Sequence, residues 1–265
     1  MSEQSAQETL WPGNRAHSAR VYDCILGGKD HYEVDREAAE ASLRAWPGLR
    51  TSMLANRATM RRMARWLAGE AGIGQFLDIG TGIPTEPNLH QVVQAVAPAA
   101  RIVYVDNDPI VLAHADALMR GTPEGRTTYI EADMNAPDTL LADPLLRGTL
   151  DLDKPVAVTV IAMLQFVRDA QGLVETLMQP LVPGSCLAIT LATADLATGS
   201  EELAAEYTRR GIPMYLRDRA EVERLFEGLE PIEPGVVPMT AWRPADGERL
   251  PDTTTNMYAG VARKR

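Results

Sequence analysis

The clearest hydrophobic pattern of the chain lies between residues 74 and 106. Residues 76–79 form a short apolar run that predicts a buried strand, and the glycine turn Gly80-Thr81-Gly82 follows it directly. Residues 102–105 form a second apolar run, which ends at Asp106. Between the two runs, apolar residues recur at helical spacing, at Leu89, Val92, Val93 and Val96. Strand, glycine turn, helix, strand and terminal acid are typical of the nucleotide-binding half of a doubly wound sheet.

The same alternation of strand and helix patterns continues along the chain. Apolar runs predict further strands at 128–131, 156–163, 187–191, 232–237 and 257–262. Helical spacing predicts helices at 109–119, 172–181, 201–209 and 220–229, with a short helical or turn segment at 138–146. Two more helices, 34–46 and 52–71, precede the first strand. The expected fold class is therefore α/β, a Rossmann-like, mostly parallel sheet with helices on both faces and an N-terminal helical cap.

Composition and charge narrow the class of protein. A chain of 265 residues, 45% of them hydrophobic, suffices for one large α/β domain with an accessory helical piece. The net charge of −10 and the isoelectric point near 5.0 disfavour nucleic acid and anionic membranes as partners. The first residues contain no apolar signal region, and the two cysteines lie far apart, so we expect a reduced, cytoplasmic protein.

The glycine turn departs from a dinucleotide-binding motif, and the departures point to another ligand. Thr85 stands where such a motif has its third glycine, and Asp106 comes later than the roughly 20 residues expected. Glu86, near the start of the helix, would repel a pyrophosphate, whereas Asp78 suits a cationic group. An adenosine that carries an amino acid, as S-adenosylmethionine does, fits these residues better than a dinucleotide.

Three acids, Asp78, Asp106 and Asp133, follow or end successive predicted strands. A single aspartate there is usually a turn former or a helix cap, but three in this arrangement favour a binding site. We expect Asp106 to accept hydrogen bonds from the ribose hydroxyls and Asp133 to accept one from the adenine amino group, with Met134 and Ile110 on either side of the ring. The other expected cofactor-binding residues in this part of the chain are Gly80, Thr81, Gly82, Asn107 and Ala162.

Several segments resemble motifs of class I S-adenosylmethionine-dependent methyltransferases: FLDIGTGIPT, RIVYVDNDPIVLAHADALM, YIEADMNAP and LVPGSCLAIT. The segments SARVYDCILGGKDHY, GVVPMTAWRP and YAGVARK are similar to hallmarks of one branch, an actinobacterial family first catalogued as a domain of unknown function. The resemblance implies S-adenosylmethionine as cofactor and a seven-stranded sheet whose last strand is reversed. It also implies a helical cap over the cofactor, so we divide the chain into a flexible tail (1–14), a cap (15–72) and a methyltransferase domain (73–265).

Candidates for chemistry outside the cofactor pocket come from the expected cap and from the end of the fourth strand. Arg20 could pair with the carboxylate of the cofactor, and Gly28 could let the backbone pass close to its methionine end. His31 is the best candidate for a general base and Tyr22 is a second one, although a lone histidine is more often structural. At the end of the fourth strand, the sequences of many family members look like a histidine-phenylalanine-valine run, and this chain has Gln165 in place of the histidine. Glutamine cannot take up a proton near neutral pH, so we expect Gln165 to orient the substrate.

Two other features favour structural roles. One side of the helix at 52–71 carries the basic residues Arg57, Arg61, Arg62 and Arg65. They could bind phosphate, but the net negative charge of the chain favours a solvated helix face. The histidines and cysteines show no metal-ligand spacing, so no metal site is expected.

These observations predict a methyltransferase that uses S-adenosylmethionine, releases S-adenosylhomocysteine and methylates a small molecule. A place in secondary metabolism rests on the family resemblance alone. Two alternatives remain open: a non-catalytic protein that binds S-adenosylmethionine, which Gln165 keeps open, and a nicotinamide-dependent oxidoreductase.

Overall fold

The computed structural model describes residues 12–118, 120–245, 247 and 255–265. Most of the predicted tail, residues 1–11, lies outside the described residues, and residues 12–14 form a 3₁₀ turn. The strands are β1 (Gln75–Ile79), β2 (Arg101–Asp106), β3 (Arg126–Glu131), β4 (Ala157–Ile161), β5 (Cys186–Ala192), β6 (Leu229–Pro231), β7 (Val237–Pro238) and β8 (Met257–Lys264).

The helices alternate with these strands, as the periodicity predicted. Three precede the sheet: α1 (Ser18–Leu26), α2 (Glu33–Ala45) and α3 (Leu49–Gly69). Between strands lie α4 (Leu89–Gln94), α5 (Pro109–Leu118), α6 (Pro137–Leu141), α7 (Pro144–Thr149), α8 (Ala170–Met178), α9 (Ser200–Arg209) and α10 (Arg219–Arg224). No helix within the described ranges combines the length and apolar content that crossing a membrane requires.

The sheet has the order β3-β2-β1-β4-β5-β8-β6, and β7 pairs with β8 beside this path. Strands β1 to β5 are parallel to one another, whereas β8 runs antiparallel to β5. The α/β class and the reversed last strand are therefore confirmed. The sheet of the described residues has eight strands, close to the seven that the family resemblance implies. From β1 the strand order first runs to one side, through β2 and β3, and then to the other side, through β4 and β5. Ligands bind in such sheets at the carboxyl ends of the strands where the order changes direction, which here is at β1.

Alternating side chains of the strands bury two hydrophobic layers, one on each face of the sheet. Leu77 and Ile79 of β1 belong to the layer that includes α8 and α10, whereas Phe76 packs in the layer that includes α3 and α4. Because strand side chains alternate, Asp78 shares the face of Phe76, which α3 covers. The sequence pattern of β1 thus directs its one acid toward the long N-terminal helix.

A third cluster builds the cap from two distant parts of the chain. Val21 and Ile25 of α1 and Ala38 of α2 pack with Leu203 and Tyr207 of α9. The N-terminal helices are therefore joined by a helix that follows β5. The boundary at residue 72 between cap and sheet domain stays a prediction, because α3 contacts both the cap cluster and the strands β4, β5 and β8.

Two predicted elements near the C-terminus were wrong. Residues 232–237 do not form one strand, because Gly235 adopts a left-handed conformation, with a φ of 80°, and turns the chain between β6 and β7. The helix predicted at 220–229 ends at Arg224, and Gly228, with a φ of 78°, precedes the start of β6. Positive φ angles favour glycine and interrupt regular elements, which hydrophobic spacing does not reveal.

Candidate functional site

A single cavity lies at the carboxyl ends of β1, β2 and β4 and extends beneath the cap. We call its first part the cofactor half; its wall includes Asp78, Gly80, Thr81, Gly82, Asp106, Asn107, Asp133, Met134 and Ala162. We call the part beneath the cap the acceptor half; its wall includes Tyr22, Leu49, Met53, Gln165, Phe166, Leu203, Tyr207 and Met214. The structure thus brings together all but three of the residues expected to contact the cofactor, the exceptions being Arg20, Gly28 and Ile110.

Asp78 is a buried acid in the wall of the cofactor half. Its Oδ1 accepts a hydrogen bond from the Thr159 hydroxyl on the neighbouring strand β4. Burial raises the pKa of Asp78 from 3.8 to about 6, although the Thr159 hydrogen bond opposes the shift. A buried carboxylate with a raised pKa gains from a cationic ligand, because the cation compensates for lost hydration.

The turn after β1 needs glycine for two reasons. Gly80 has a φ of +70°, and a Cβ atom there would lie 2.2 Å from Cγ of Met163. Gly82 also has a positive φ, and its N–H donates to Oδ2 of Asp106 at 2.8 Å. The turn therefore holds its backbone against the cavity and attaches it to the end of β2.

Asp106 ends β2 with its carboxylate held by backbone amides. Besides Gly82, the N–H of Asp108 donates to its Oδ1 at 3.0 Å. Burial raises the pKa of Asp106, while the two amide hydrogen bonds oppose the shift. Because each carboxylate oxygen has a second lone pair, both remain able to accept a ligand hydroxyl. His17 from the cap lies over this end of the cavity, with its Nε2 3.2 Å from Oδ1 of Asn107.

The third strand-end acid lies in a more open position. Oδ1 of Asp133 accepts from the backbone N–H of Asn135 at 2.9 Å and from its Nδ2 at 2.8 Å. Asp133, Met134 and Asn135 all line the cavity. Ile110, expected beside the adenine, is not among the lining residues, so only one side of the predicted sandwich is supplied.

Arg57 is a cavity residue that the sequence interpretation missed. Its Nη2 donates to the carbonyls of Thr85 and, at 2.9 Å, of Pro87, so it holds the loop after the glycine turn. Burial lowers the pKa of Arg57, and the charge of Asp78 opposes that shift. The expectation of a solvated arginine face was wrong for Arg57 and also for Arg62, which is buried and donates to the carbonyls of Met239 and Trp242.

A signal for Arg57 was present in the helix period. Met53 precedes it by four residues and Met60 follows it by three, so both share its face of α3, and both line the cavity. Two buried methionines on the same face as Arg57 indicate a buried role for it more specifically than the net charge of the chain indicates a solvated one.

Arg20 lies outside the cavity, between two buried carboxylates. Its Nε is 3.4 Å from Oδ2 of Asp35 and 3.3 Å from Oδ2 of Asp108, and its Nη2 donates to the carbonyl of Arg15 at 2.8 Å. Arg20 therefore joins the cap to the loop after β2. The structure does not bring it to the cofactor half, and pairing with a cofactor carboxylate has no geometric support.

Gly28 and His31 likewise face another cap residue, Asp23. A Cβ atom on Gly28 would lie 1.8 Å from Oδ1 of Asp23, and Nδ1 of His31 lies 3.0 Å from its Oδ2. Neither residue lines the cavity. The glycine pair closes a turn around this carboxylate, so a role for His31 as general base has no geometric support either.

Tyr22 and Gln165 do line the acceptor half. The Tyr22 hydroxyl donates to the carbonyl of Met53 and accepts from Nδ2 of Asn56, each at 3.2 Å. Burial raises the pKa of Tyr22, so at neutral pH it keeps its proton. Gln165 Nε2 donates at 2.7 Å to the carbonyl of Ala162, whose φ of 54° turns the chain out of β4.

Among the residues that the structure describes, no group of histidine, cysteine or acidic side chains could hold a metal ion.

Comparison with known families and structures identifies the chain. Residues 4–265 match a family model described as S-adenosyl methyltransferase. Among solved structures, a DUF574 family protein from Streptomyces avermitilis is 54% identical, with 96% of this chain and 99% of that chain covered and a TM-score of 0.90. A protein from Thermobifida fusca that carries a provisional methyltransferase name is 37% identical, with coverages of 97% and 99% and a TM-score of 0.88.

More distant matches share the fold. The plantazolicin methyltransferase bound to S-adenosylhomocysteine is 13% identical, with coverages of 93% and 96% and a TM-score of 0.54. No curated protein matches the chain. The family match over residues 4–265, the methyltransferase sheet order and the three strand-end acids agree on one conclusion. The chain belongs to the S-adenosyl methyltransferase family, whose members use S-adenosylmethionine as the methyl donor.

Proposed function

We propose that this protein transfers the methyl group of S-adenosylmethionine to a small-molecule acceptor bound beneath the cap. The observation that carries the proposal is the continuity of the cavity, which joins strand-end acids to an apolar space between α1, α3 and α9. A methyl donor and an acceptor must share one enclosed space, because the nucleophile has to reach the methyl carbon in line with the sulfur.

The residues of the cofactor half match the chemical groups of S-adenosylmethionine. Asp106 is positioned at the end of β2 to accept from the ribose hydroxyls, and Asp133 to accept from the adenine amino group. Asp78 suits the ammonium of the methionine part, since a cation there would lower its raised pKa. The match between this half and S-adenosylmethionine therefore depends on Asp78, a buried carboxylate whose negative charge the protein compensates only poorly.

Arg57 is our candidate for binding the methionine carboxylate, in place of Arg20. Its guanidinium lines the same cavity as Asp78, and its charge interacts with that of Asp78. Its Nη2 donates to the loop carbonyls of Thr85 and Pro87. Its Nε and Nη1 make no hydrogen bond to a described residue. A guanidinium can then bind a carboxylate with two nitrogens while it keeps the loop in place.

S-adenosylmethionine supplies a methyl carbon already made electrophilic by the positive sulfonium. The task of this chain is to hold the donor, to orient the acceptor and to keep water away. The cap serves the last task. It is held over the cavity by Arg20 at Asp108 and by His17 at Asn107.

Calorimetry and a turnover assay test the proposal. We expect the protein to bind S-adenosylmethionine and S-adenosylhomocysteine in the micromolar range and NAD not at all. With radiolabelled S-adenosylmethionine, a panel of small phenols and amines should yield labelled product, which also separates an enzyme from a non-catalytic cofactor-binding protein. Binding of NAD without binding of S-adenosylmethionine would overturn the proposal in favour of an oxidoreductase.

Three finer expectations belong to the same proposal. The acceptor is a small molecule rather than a nucleic acid, for which the support is the net charge of −10. A cytoplasmic location and a place in secondary metabolism stay predictions from the sequence and the family resemblance. A cell extract can be separated into a small-molecule fraction and a macromolecular fraction and each fraction supplied as acceptor. Turnover with the macromolecular fraction alone would contradict a small-molecule acceptor.

A further inference from the structure

Two polar groups in the acceptor half lack the partners that buried groups normally have. Oε1 of Gln165 is buried and has no hydrogen-bond partner. The Tyr207 side chain is buried at 5% exposure, and no hydrogen bond joins its hydroxyl to another described residue. Both residues line the cavity, so the two groups that the protein leaves unpaired belong to side chains that border the acceptor half.

The orientation of the Gln165 amide is determined by the protein. Its Nε2 donates to the carbonyl of Ala162 at 2.7 Å, so Oε1 is the end left over. Its backbone carbonyl accepts from the N–H of Tyr215 at 2.7 Å, and Arg217 donates to the carbonyl of Leu164 at 2.8 Å. The turn that carries Gln165 is thus held on both sides, and the unpaired oxygen is a pre-positioned acceptor.

Tyr207 offers the complementary donor. Burial raises its pKa, and the nearby Tyr22 adds to the shift, so the hydroxyl keeps its proton at neutral pH. Its ring lies 5.8 Å from the ring of Phe166, the residue after Gln165, at an interplanar angle of 31°. One acceptor and one donor therefore belong to residues that line the same cavity as this pair of aromatic rings.

The rest of the acceptor half is apolar. Leu49, Met53 and Leu203 belong to the same buried cluster as Tyr207, and Met214 packs against it. Among the described residues that we assign to this half, none carries a formal charge. The charge of Arg57 reaches Tyr22, but we assign Arg57 to the methionine carboxylate of the cofactor, so an anionic ligand beneath the cap would gain little compensation for its lost hydration. A flat apolar ligand would be well accommodated.

We propose that the methyl acceptor is a neutral, mostly apolar aromatic molecule whose O–H or N–H group donates to Oε1 of Gln165 and whose polar edge accepts from the Tyr207 hydroxyl. This inference rests on the proposed methyltransferase function and specifies its substrate class. Gln165 and Tyr207 are then the residues that decide which acceptor binds, and Phe166 provides a ring against which it packs.

The test measures ring compounds that differ in one group. Wild-type protein saturated with S-adenosylhomocysteine is titrated by calorimetry with 2-naphthol, with 2-methoxynaphthalene, which lacks the donor, and with 2-naphthoate, which is charged. We expect 2-naphthol to bind about tenfold more tightly than 2-methoxynaphthalene, as one buried hydrogen bond implies, and 2-naphthoate to bind most weakly.

Two variants separate the two polar groups. In Gln165→Leu, the preference for 2-naphthol over 2-methoxynaphthalene should fall to within about twofold. In Tyr207→Phe, affinity for 2-naphthol should fall about fivefold, since only the hydroxyl is removed. The matched control, Tyr215→Phe, changes a tyrosine of the neighbouring loop that does not line the cavity and should leave all three affinities unchanged.

The same titrations distinguish failure of this inference from failure of the proposed function. If the wild type does not bind S-adenosylhomocysteine, the proposed function and the inference fall together. If it binds S-adenosylhomocysteine but no ring compound, or prefers 2-naphthoate, only the inference is overturned. The inference is also overturned if the preference for 2-naphthol survives in Gln165→Leu.

Discussion

Replacing Asp78 with asparagine should make the ligand-free protein more stable and the cofactor complex weaker. The side chain is buried, and burial raises its pKa from 3.8 to about 6. This difference corresponds to about 3 kcal/mol, by which the folded state opposes the ionised carboxylate. Asparagine has the same shape and can still accept from the Thr159 hydroxyl, but it carries no charge.

The dependence of the effect on pH follows from the direction of the pKa shift. Below pH 3.8 both the folded and the unfolded chain hold the proton, so wild type and variant should differ little. As the pH rises toward about 6, the unfolded chain releases the proton while the folded chain keeps it, and the wild type loses stability relative to the variant. Above about pH 6 the advantage of the variant should level off at up to about 3 kcal/mol.

Cofactor binding should respond in the opposite direction. The ammonium of S-adenosylmethionine offsets the buried charge of Asp78, and a charge-assisted hydrogen bond of this kind contributes about 1.5–3 kcal/mol. Asp78→Asn should therefore weaken binding by about 10- to 100-fold at pH 8. For the wild type, affinity should fall as the pH decreases through about 6, because the carboxyl then takes up a proton.

Urea unfolding at several pH values and calorimetry at pH 8 measure the two effects. The control is Asp153→Asn, which removes an exposed carboxylate outside the cavity and should change neither quantity. A variant that is less stable than the wild type at pH 8, or that binds S-adenosylmethionine with unchanged affinity, would refute the reasoning about Asp78.

Three further substitutions test other parts of the cofactor half. Asp106→Asn should weaken S-adenosylmethionine binding about 10- to 100-fold, since an amide cannot accept from both ribose hydroxyls; an unchanged dissociation constant in calorimetry contradicts this role. Arg57→Gln should weaken binding about tenfold, whereas Arg65→Gln, an exposed change on the same helix, should not; equal effects would remove Arg57 from the site. Gly80→Ala should lower the melting temperature and abolish cofactor binding, because φ is +70° and the new methyl would overlap a cavity side chain; a wild-type melting temperature would contradict the need for glycine.

The local chain pattern determined the fold class and the site of cofactor binding. Strand and helix periods recur along the sequence and identify each element. An acid that ends a parallel strand lies at the ligand-binding edge of the sheet, and this position does not depend on how distant segments pack. Asp78, Asp106 and Asp133 could therefore be predicted to share one cavity, and all three line it. Their strand positions are set by neighbours in sequence, so no knowledge of long-range packing was needed.

The cap shows what the sequence pattern left undetermined. Its helices were predicted from the N-terminal residues, but α9, which follows β5, completes it. Which side of a cap helix faces the cavity depends on how α1 packs against α2, α3 and α9. For this reason Arg20, three positions after His17, is buried between carboxylates, while His17 itself lines the cavity.

The sequence by itself thus determined the sheet, its glycine turn and the strand-end acids, because these depend on local spacing and on the direction of each strand. Only the tertiary structure decided that Arg57 rather than Arg20 lies in the cavity and that Gln165 and Tyr207 stand unpaired beneath the cap. Gln165 and Tyr207 belong to elements far apart in sequence, and their role arises from packing that brings unpaired polar groups to one enclosed space.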